Sequence, residues 1–144
     1  MTELSRADAP RTGSRQYHIA LERGELAEYV LLVGDPGRVA KVAKRFDQVT
    51  LERSNREITT ATGTYRGMPL SVMSTGMGTD NVEIVLAEVI EIADHPTFIR
   101  VGSSGALQPE IALGDLVISI TSASTISTLS VPIPVDMAER RMPR

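Results

Sequence analysis

Apolar residues along the chain change period several times, and each change marks an element. "YVLLV" (29–33) is an unbroken apolar run, as in a strand covered on both faces. From Pro36 the spacing becomes helical, with Val39, Val42, Ala43 and Phe46 at i, i+3, i+4 and i+7. Asp35 is placed to cap that helix and Pro36 fits its first position. "VTLERS" and "EITTATGTYRG" are β-rich and interleaved with polar residues, which predicts antiparallel strands, and "PLSVMST" (69–75) predicts another. A second helix is expected from about Asn81 to Ala93, with Asp80 and Glu83 spaced as a capping box. "TFIRV" (97–101) and "LVISI" (116–120) complete the set of strands, separated by the glycine-containing loop "GSSGALQPEIALGD". The fold class expected is α/β, a mixed central β-sheet flanked by helices.

The pattern fades at both ends. Residues 1–16 are polar and read as a flexible leader, and 17–120 carry the periodic elements. In the remainder, 121–144, seven of the ten residues from Thr121 to Ser130 are Ser or Thr, and no hydrophobic period follows. An α/β sheet needs cover on both faces, so the domain is expected to be incomplete on its C-terminal side.

Composition narrows the function classes. The 144 residues carry a formal net charge of -3 and only 3% aromatics, which disfavours nucleic acid as a partner. With no cysteine there are no disulfides or thiolate sites. There is no secretory h-region, and the longest apolar stretch (82–93) is broken by glutamates, so a membrane is not expected and the cytoplasm is. The two histidines, His18 and His95, lack carboxylates at metal-ligand spacing, and neither a Walker lysine motif, a complete GxGxxG nor a GxSxG elbow is present.

What remains is three glycine turns that each follow a strand: "GDPGR" (34–38), "TGMGTDN" (75–81) and "GSSG" (102–105). In open α/β sheets such turns gather at the carboxyl ends of strands, where ligands bind. Gly34 allows close backbone approach, the helix behind it is expected to offer free N–H groups to an anion, and Arg38 adds a guanidinium. A glycine and a helix cap after a strand can equally be a plain turn. Arg100, inside an apolar run, is expected to be buried, and a buried arginine needs either a carboxylate partner or an anionic ligand. Ser103 and Ser104 add hydroxyls at the third turn; Arg56 alone reads as a solvated charge.

"YHIAL", "LLVGDPGRV", "SNREITTATGTYRGMPLSVMSTGMG" and "IRVGSSGALQPEIALGDLVIS" together resemble the nucleoside phosphorylases, nearest the uridine-cleaving type, in order from about Tyr17 to Ser119. The resemblance implies a pentosyltransferase of pyrimidine salvage, in which inorganic phosphate is co-substrate and cleaves a nucleoside to base and ribose 1-phosphate. No further cofactor is implied, although some members bind potassium at a subunit interface beside the residue matching Glu57. It places phosphate on Gly34, Arg38, Arg100 and Ser103, with Arg56 reaching in from a neighbouring subunit. His18 would cross to the neighbour's ribose, Met77 would lie against the sugar and Gly105 would line the base site. A homo-oligomer, a dimer or trimer of dimers, follows. The sequence departs from the family at "GMGTDN", where "GIGGPS" is more usual, and at Ser103 and Ser104, where threonines are frequent. The family's base-reading and ribose-binding residues lie beyond the matched part, so the catalytic groups are unassigned and the 144-residue chain is expected to have impaired turnover. A same-fold nucleosidase and a non-catalytic phosphate- or subunit-binding chain are the alternatives.

Overall fold

A computed structural model of the protein describes residues 11–118. By its internal contacts the chain divides into two units, Met1–Ser103 and Ser104–Arg144. The first unit contains every regular element of the described residues: β1 (Arg11–Thr12), β2 (Arg15–Gln16), β3 (Tyr29–Val33), α1 (Pro36–Ala43), β4 (Gln48–Asn55), β5 (Ile58–Tyr65), β6 (Met68–Ser74), α2 (Thr79–Ile92) and β7 (Thr97–Arg100). In the second unit residues 104–118 are almost wholly exposed and form turns, with Ala112 N–H donating to Asp115 Oδ2 at 2.8 Å. Residues 116–118 of the expected last strand are not extended into a sheet; its remainder and the 121–144 tail lie outside the described residues.

Five strands make a mixed sheet in the order β4-β5-β6-β3-β7. The β4-β5-β6 meander is antiparallel, while β3 pairs in parallel with β6 on one side and β7 on the other. The unbroken apolar character of β3 follows from this central place. Val30 and Leu32 enter a cluster with Ile19, Leu21, Met73, Val85 and Val89 on one face, and Val33 enters a cluster with Val39, Ala43, Ala61 and Val72 on the other. α2 thus covers one face and α1 the opposite one. At roughly 1.5–3 kcal/mol for each fully buried aliphatic side chain, these two clusters are the main stabilising term of the unit.

Both helix starts are informative. Asp35 caps α1 as expected, its Oδ1 accepting from Gly37 N–H at 2.9 Å. α2 begins two residues earlier than the sequence pattern implies, and its cap is Gly78 (φ 93°) without any side-chain bond, so the Asp80–Glu83 capping box is not formed. A glycine reaches that positive φ without a Cβ clash and thereby displaces Asp80 into the first helical turn.

The expected leader is partly structured. β1 and β2 pair antiparallel, Gln16 is fully buried, and Arg15 bridges Glu22 and Glu25 (2.7 Å each) while Arg53 of β4 reaches Glu25 at 2.9 Å. Desolvation is the largest single influence on Glu25 and pushes its pKa up. The Arg15 hydrogen bond, the Glu22 N–H and the charges of Arg15 and Arg53 together outweigh it and hold the carboxyl below its ordinary value. The unfolded chain then binds the proton more readily than the folded one. Glu25 therefore contributes stability that is complete above about pH 4.3 and is lost as pH falls through its lower native value. Urea midpoints measured from neutral to acid pH should show that loss, and Glu25→Gln should flatten this part of the profile; an unchanged slope would rule the contribution out.

Candidate phosphate site

The three parallel strands end on the same side of the sheet. Their ladder continues past the strand ends, with Thr75 N–H donating to the Val33 carbonyl and Val101 N–H to the Leu32 carbonyl, both at 2.8 Å. The turns that start at Gly34, Gly76 and Gly102 are thereby drawn together around a cavity of about 840 Å³. Gly34, Asp35, Pro36 and Arg38 line it from the first turn, Gly76, Met77 and Asn81 from the second, and Arg100, Gly102 and Ser103 from the third. Glu57, at the tip of the β4–β5 hairpin, completes the lining.

Glycine is favoured at one of these positions and lets an arginine close over the backbone at another. Gly76 has φ +69°, and a Cβ there would lie 3.0 Å from Asn81 Nδ2 and 3.2 Å from Glu57 Cγ. A Cβ on Gly102 would lie 2.8 Å from Arg100 Nη1, inside any normal contact. The Arg100 guanidinium therefore folds back over Gly102, with Nη2 3.8 Å from the point where a Gly34 Cβ would stand. That brings its charge against the first turn.

Two expectations about this site are corrected. Arg100 is exposed, not buried. β7 pairs only with β3 among the described residues, and an apolar run on such an edge strand keeps Thr97, Ile99 and Arg100 in contact with solvent. No buried carboxylate is needed to explain it. The ion pairs of the described residues use Arg11, Arg15, Arg23, Arg53 and His18, and neither Arg38 nor Arg100 takes part. Secondly, the first turn of α1 does not offer free N–H groups. Pro36 has none, Gly37 N–H is taken by the Asp35 side chain, and Arg38 N–H donates to the Asp35 carbonyl at 3.0 Å. The helix whose start lacks a side-chain cap is α2, and Met77 and Asn81, which flank that start, line the cavity. Its partial positive charge suits an anion.

Not all the other predicted site residues belong to the cavity. His18 and Arg56 do not line the cavity; they meet at Tyr17, whose ring stands edge-on to His18 (5.0 Å between centroids) and beneath the Arg56 guanidinium (5.2 Å). Arg56 Nη2 also donates to the Tyr17 hydroxyl at 3.1 Å. Gly105 belongs to the second unit and is exposed. Glu57 faces the cavity beside Asn81, whose Nδ2 donates to the Met77 carbonyl at 2.9 Å. Potassium takes several oxygen ligands at once. Among the described residues no three His, Cys, Asp or Glu side chains come together.

Sequence reasoning missed Glu88. It occupies the buried stripe of α2 with Val85, Val89 and Ile92, and accepts from the His18 ring and from two backbone N–H groups. A glutamate at i+3 in an otherwise apolar stripe was the available signal, because a charge is seldom buried without partners.

A family model described as "Phosphorylase superfamily" matches residues 28–137. The chain is 47% identical over 114 residues to a uridine phosphorylase of Thermococcus kodakarensis, covering 78% of this chain and 41% of that one. It is 38% identical over 118 residues to a DeoD-type purine nucleoside phosphorylase of Bacillus cytotoxicus, covering 80% and 50%. Among solved structures, a Trypanosoma brucei nucleoside phosphorylase described as showing uridine phosphorylase activity superposes with a TM-score of 0.66 at 34% identity, over 72% of this chain and 41% of that one. The chain belongs to the phosphorylase superfamily. It has the mixed sheet and flanking helices of the nucleoside phosphorylases, and it spans half or less of the length of these curated relatives.

Proposed function

We propose that the cavity is the phosphate seat of a nucleoside phosphorylase of the uridine type, acting in pyrimidine salvage in the cytoplasm. One observation carries this reading: turns following three parallel strands converge on a cavity lined by Arg38, Arg100 and Ser103, and neither arginine has a carboxylate partner among the described residues. Guanidinium forks match phosphate oxygens in geometry and charge. In the reaction a phosphate oxygen forms a bond to the anomeric carbon as the bond from that carbon to the base nitrogen breaks. The electron pair leaves with the base, which then takes a proton. The sugar passes through oxocarbenium character, which a positioned dianion both stabilises and attacks. A nucleosidase would have less use for two guanidiniums at this place.

Charge balance supports a second copy of the chain. Arg38 and Arg100 share the cavity with the carboxylates of Asp35 and Glu57, two charges against two, so one chain offers a dianion little net attraction. Under this reading Arg56, which lies outside the cavity with His18, would serve a neighbouring site, and Met77 would lie against the sugar. No step is assigned to potassium. Titration calorimetry with inorganic phosphate, light scattering, and uracil release from uridine in phosphate buffer test the reading together. Phosphate binding by a dimer or larger assembly is the expected result. Absence of phosphate binding would refute the seat, and a monomer that releases uracil would refute the shared site.

A further inference from the structure

His18 is held by more contacts than a loop residue needs. It lies in a tight turn closed by Gln16 N–H to the Leu21 carbonyl (2.9 Å) and Ala20 N–H to the Gln16 carbonyl (3.0 Å), with Ala20 at φ 55°. Asn55 Nδ2 donates to the carbonyls of both Tyr17 and His18, at 3.0 and 2.8 Å. From the other side Glu88, buried on α2, accepts from His18 N–H at 3.1 Å and from Ile19 N–H at 2.9 Å, and its Oε1 lies 2.7 Å from His18 Nδ1. Backbone donors and acceptors of the dipeptide are thus satisfied from two elements, while the His18 side chain keeps about a quarter of its surface open.

A carboxylate is an acceptor only, and Glu88 already receives two N–H groups. The proton of the short contact to the ring must therefore sit on His18 Nδ1. In the neutral imidazole the other nitrogen, Nε2, is then a lone-pair acceptor, and no described residue bonds to it. We propose that Glu88 is a positioning residue that fixes His18 in the Nδ1–H tautomer and aims the Nε2 lone pair outward to accept a hydrogen bond from a ligand hydroxyl. Under the nucleoside phosphorylase reading, on which this second half rests, that hydroxyl belongs to the sugar. Glu88 touches no reacting atom and works only through the ring. If Glu88 merely closed the turn through the two backbone N–H groups, the tautomer would be indifferent to it.

The test uses the full chain with 15N-labelled histidine, where the two histidines give separate ring signals and His95 serves as an internal reference. With the imidazoles neutral, long-range proton–nitrogen spectra should show His18 protonated on Nδ1, with a strongly downfield proton from its bond to the carboxylate. His95 should favour the Nε2–H form of a free imidazole. Glu88→Gln keeps the shape and an oxygen for the backbone N–H groups, and should shift His18 toward Nε2–H. A wild-type His18 protonated on Nε2, or a Glu88→Gln spectrum unchanged from wild type, would overturn the role of Glu88; the wild-type spectrum decides even if the variant does not fold. Uridine added with inorganic phosphate should then move the Nε2 resonance of His18 and leave His95 alone. If calorimetry shows both ligands bound and Nε2 is unmoved, the hydroxyl contact is wrong. If neither ligand binds, the hydroxyl contact fails with the nucleoside reading, whereas the tautomer result stands apart from both.

Discussion

Arg100→Ala is expected to weaken binding of inorganic phosphate by about ten- to a hundred-fold, since a hydrogen bond to a charged group contributes about 1.5–3 kcal/mol. Its thermal unfolding should stay close to that of the wild type. Arg100 is exposed at the end of β7 and makes no ion pair among the described residues, so little of the folded structure depends on it. Gly102→Ala provides a sharper form of the same experiment. The added methyl would stand 2.8 Å from Arg100 Nη1, and a flexible guanidinium can swing away at little cost to the fold. The charge would be displaced from Gly34 while the arginine itself remained. Both variants should therefore lose phosphate affinity, Gly102→Ala by the smaller factor, with calorimetry as the measurement. Wild-type affinity in Arg100→Ala would mean that the anion, if bound at all, sits elsewhere.

Gly63→Ala should be the most damaging single methyl in the unit, lowering stability by at least about 3 kcal/mol. Gly63 lies on β5 opposite Val49, beside the irregularity in register between Val49 and Leu51. A Cβ there would stand 2.0 Å from the Gln48 carbonyl oxygen and 2.8 Å from Phe46 Cδ2. The first of these atoms is backbone, and relief requires β4 to move away from β5 along with the Phe46 contact to the α1 face of the core. A urea midpoint within experimental error of the wild type would show that the strands part there without cost.

Much of this was readable in advance wherever a residue's neighbours in sequence are also its neighbours in space. β3 and α1 announce themselves through a change of period at a glycine, and Asp35 caps the helix it precedes. The meeting of three glycine turns follows from the parallel pairing of the strands before them. The misreadings have a common origin in partners that local pattern does not reveal. "TFIRV" has the composition of a central strand, but the strand order among the described residues places it at an edge with Arg100 in solvent. The first turn of α1 looks like an anion seat until Asp35 is seen to occupy it. Asp80 is a good cap by type, displaced because Gly78 alone reaches the required φ. The Glu88–His18 contact joins residues 70 apart in sequence, beyond the reach of any local motif.

The strand order also has a consequence for how the cavity comes into being. The β4-β5-β6 meander is joined by short hairpins and can form early, because its ends meet after small loop closures. The cavity needs β3 set beside both β6 and β7, pairings that span the interval from Tyr29 to Arg100. It is therefore expected to be completed only in the last stage of folding, and partly ordered chains do not possess it. An anion held there binds the native state alone and shifts the folding equilibrium by mass action, by about 2.7 kcal/mol at a hundred times its dissociation constant. Wherever such an anion is abundant, the folded chain would owe part of its lifetime to the ion it holds.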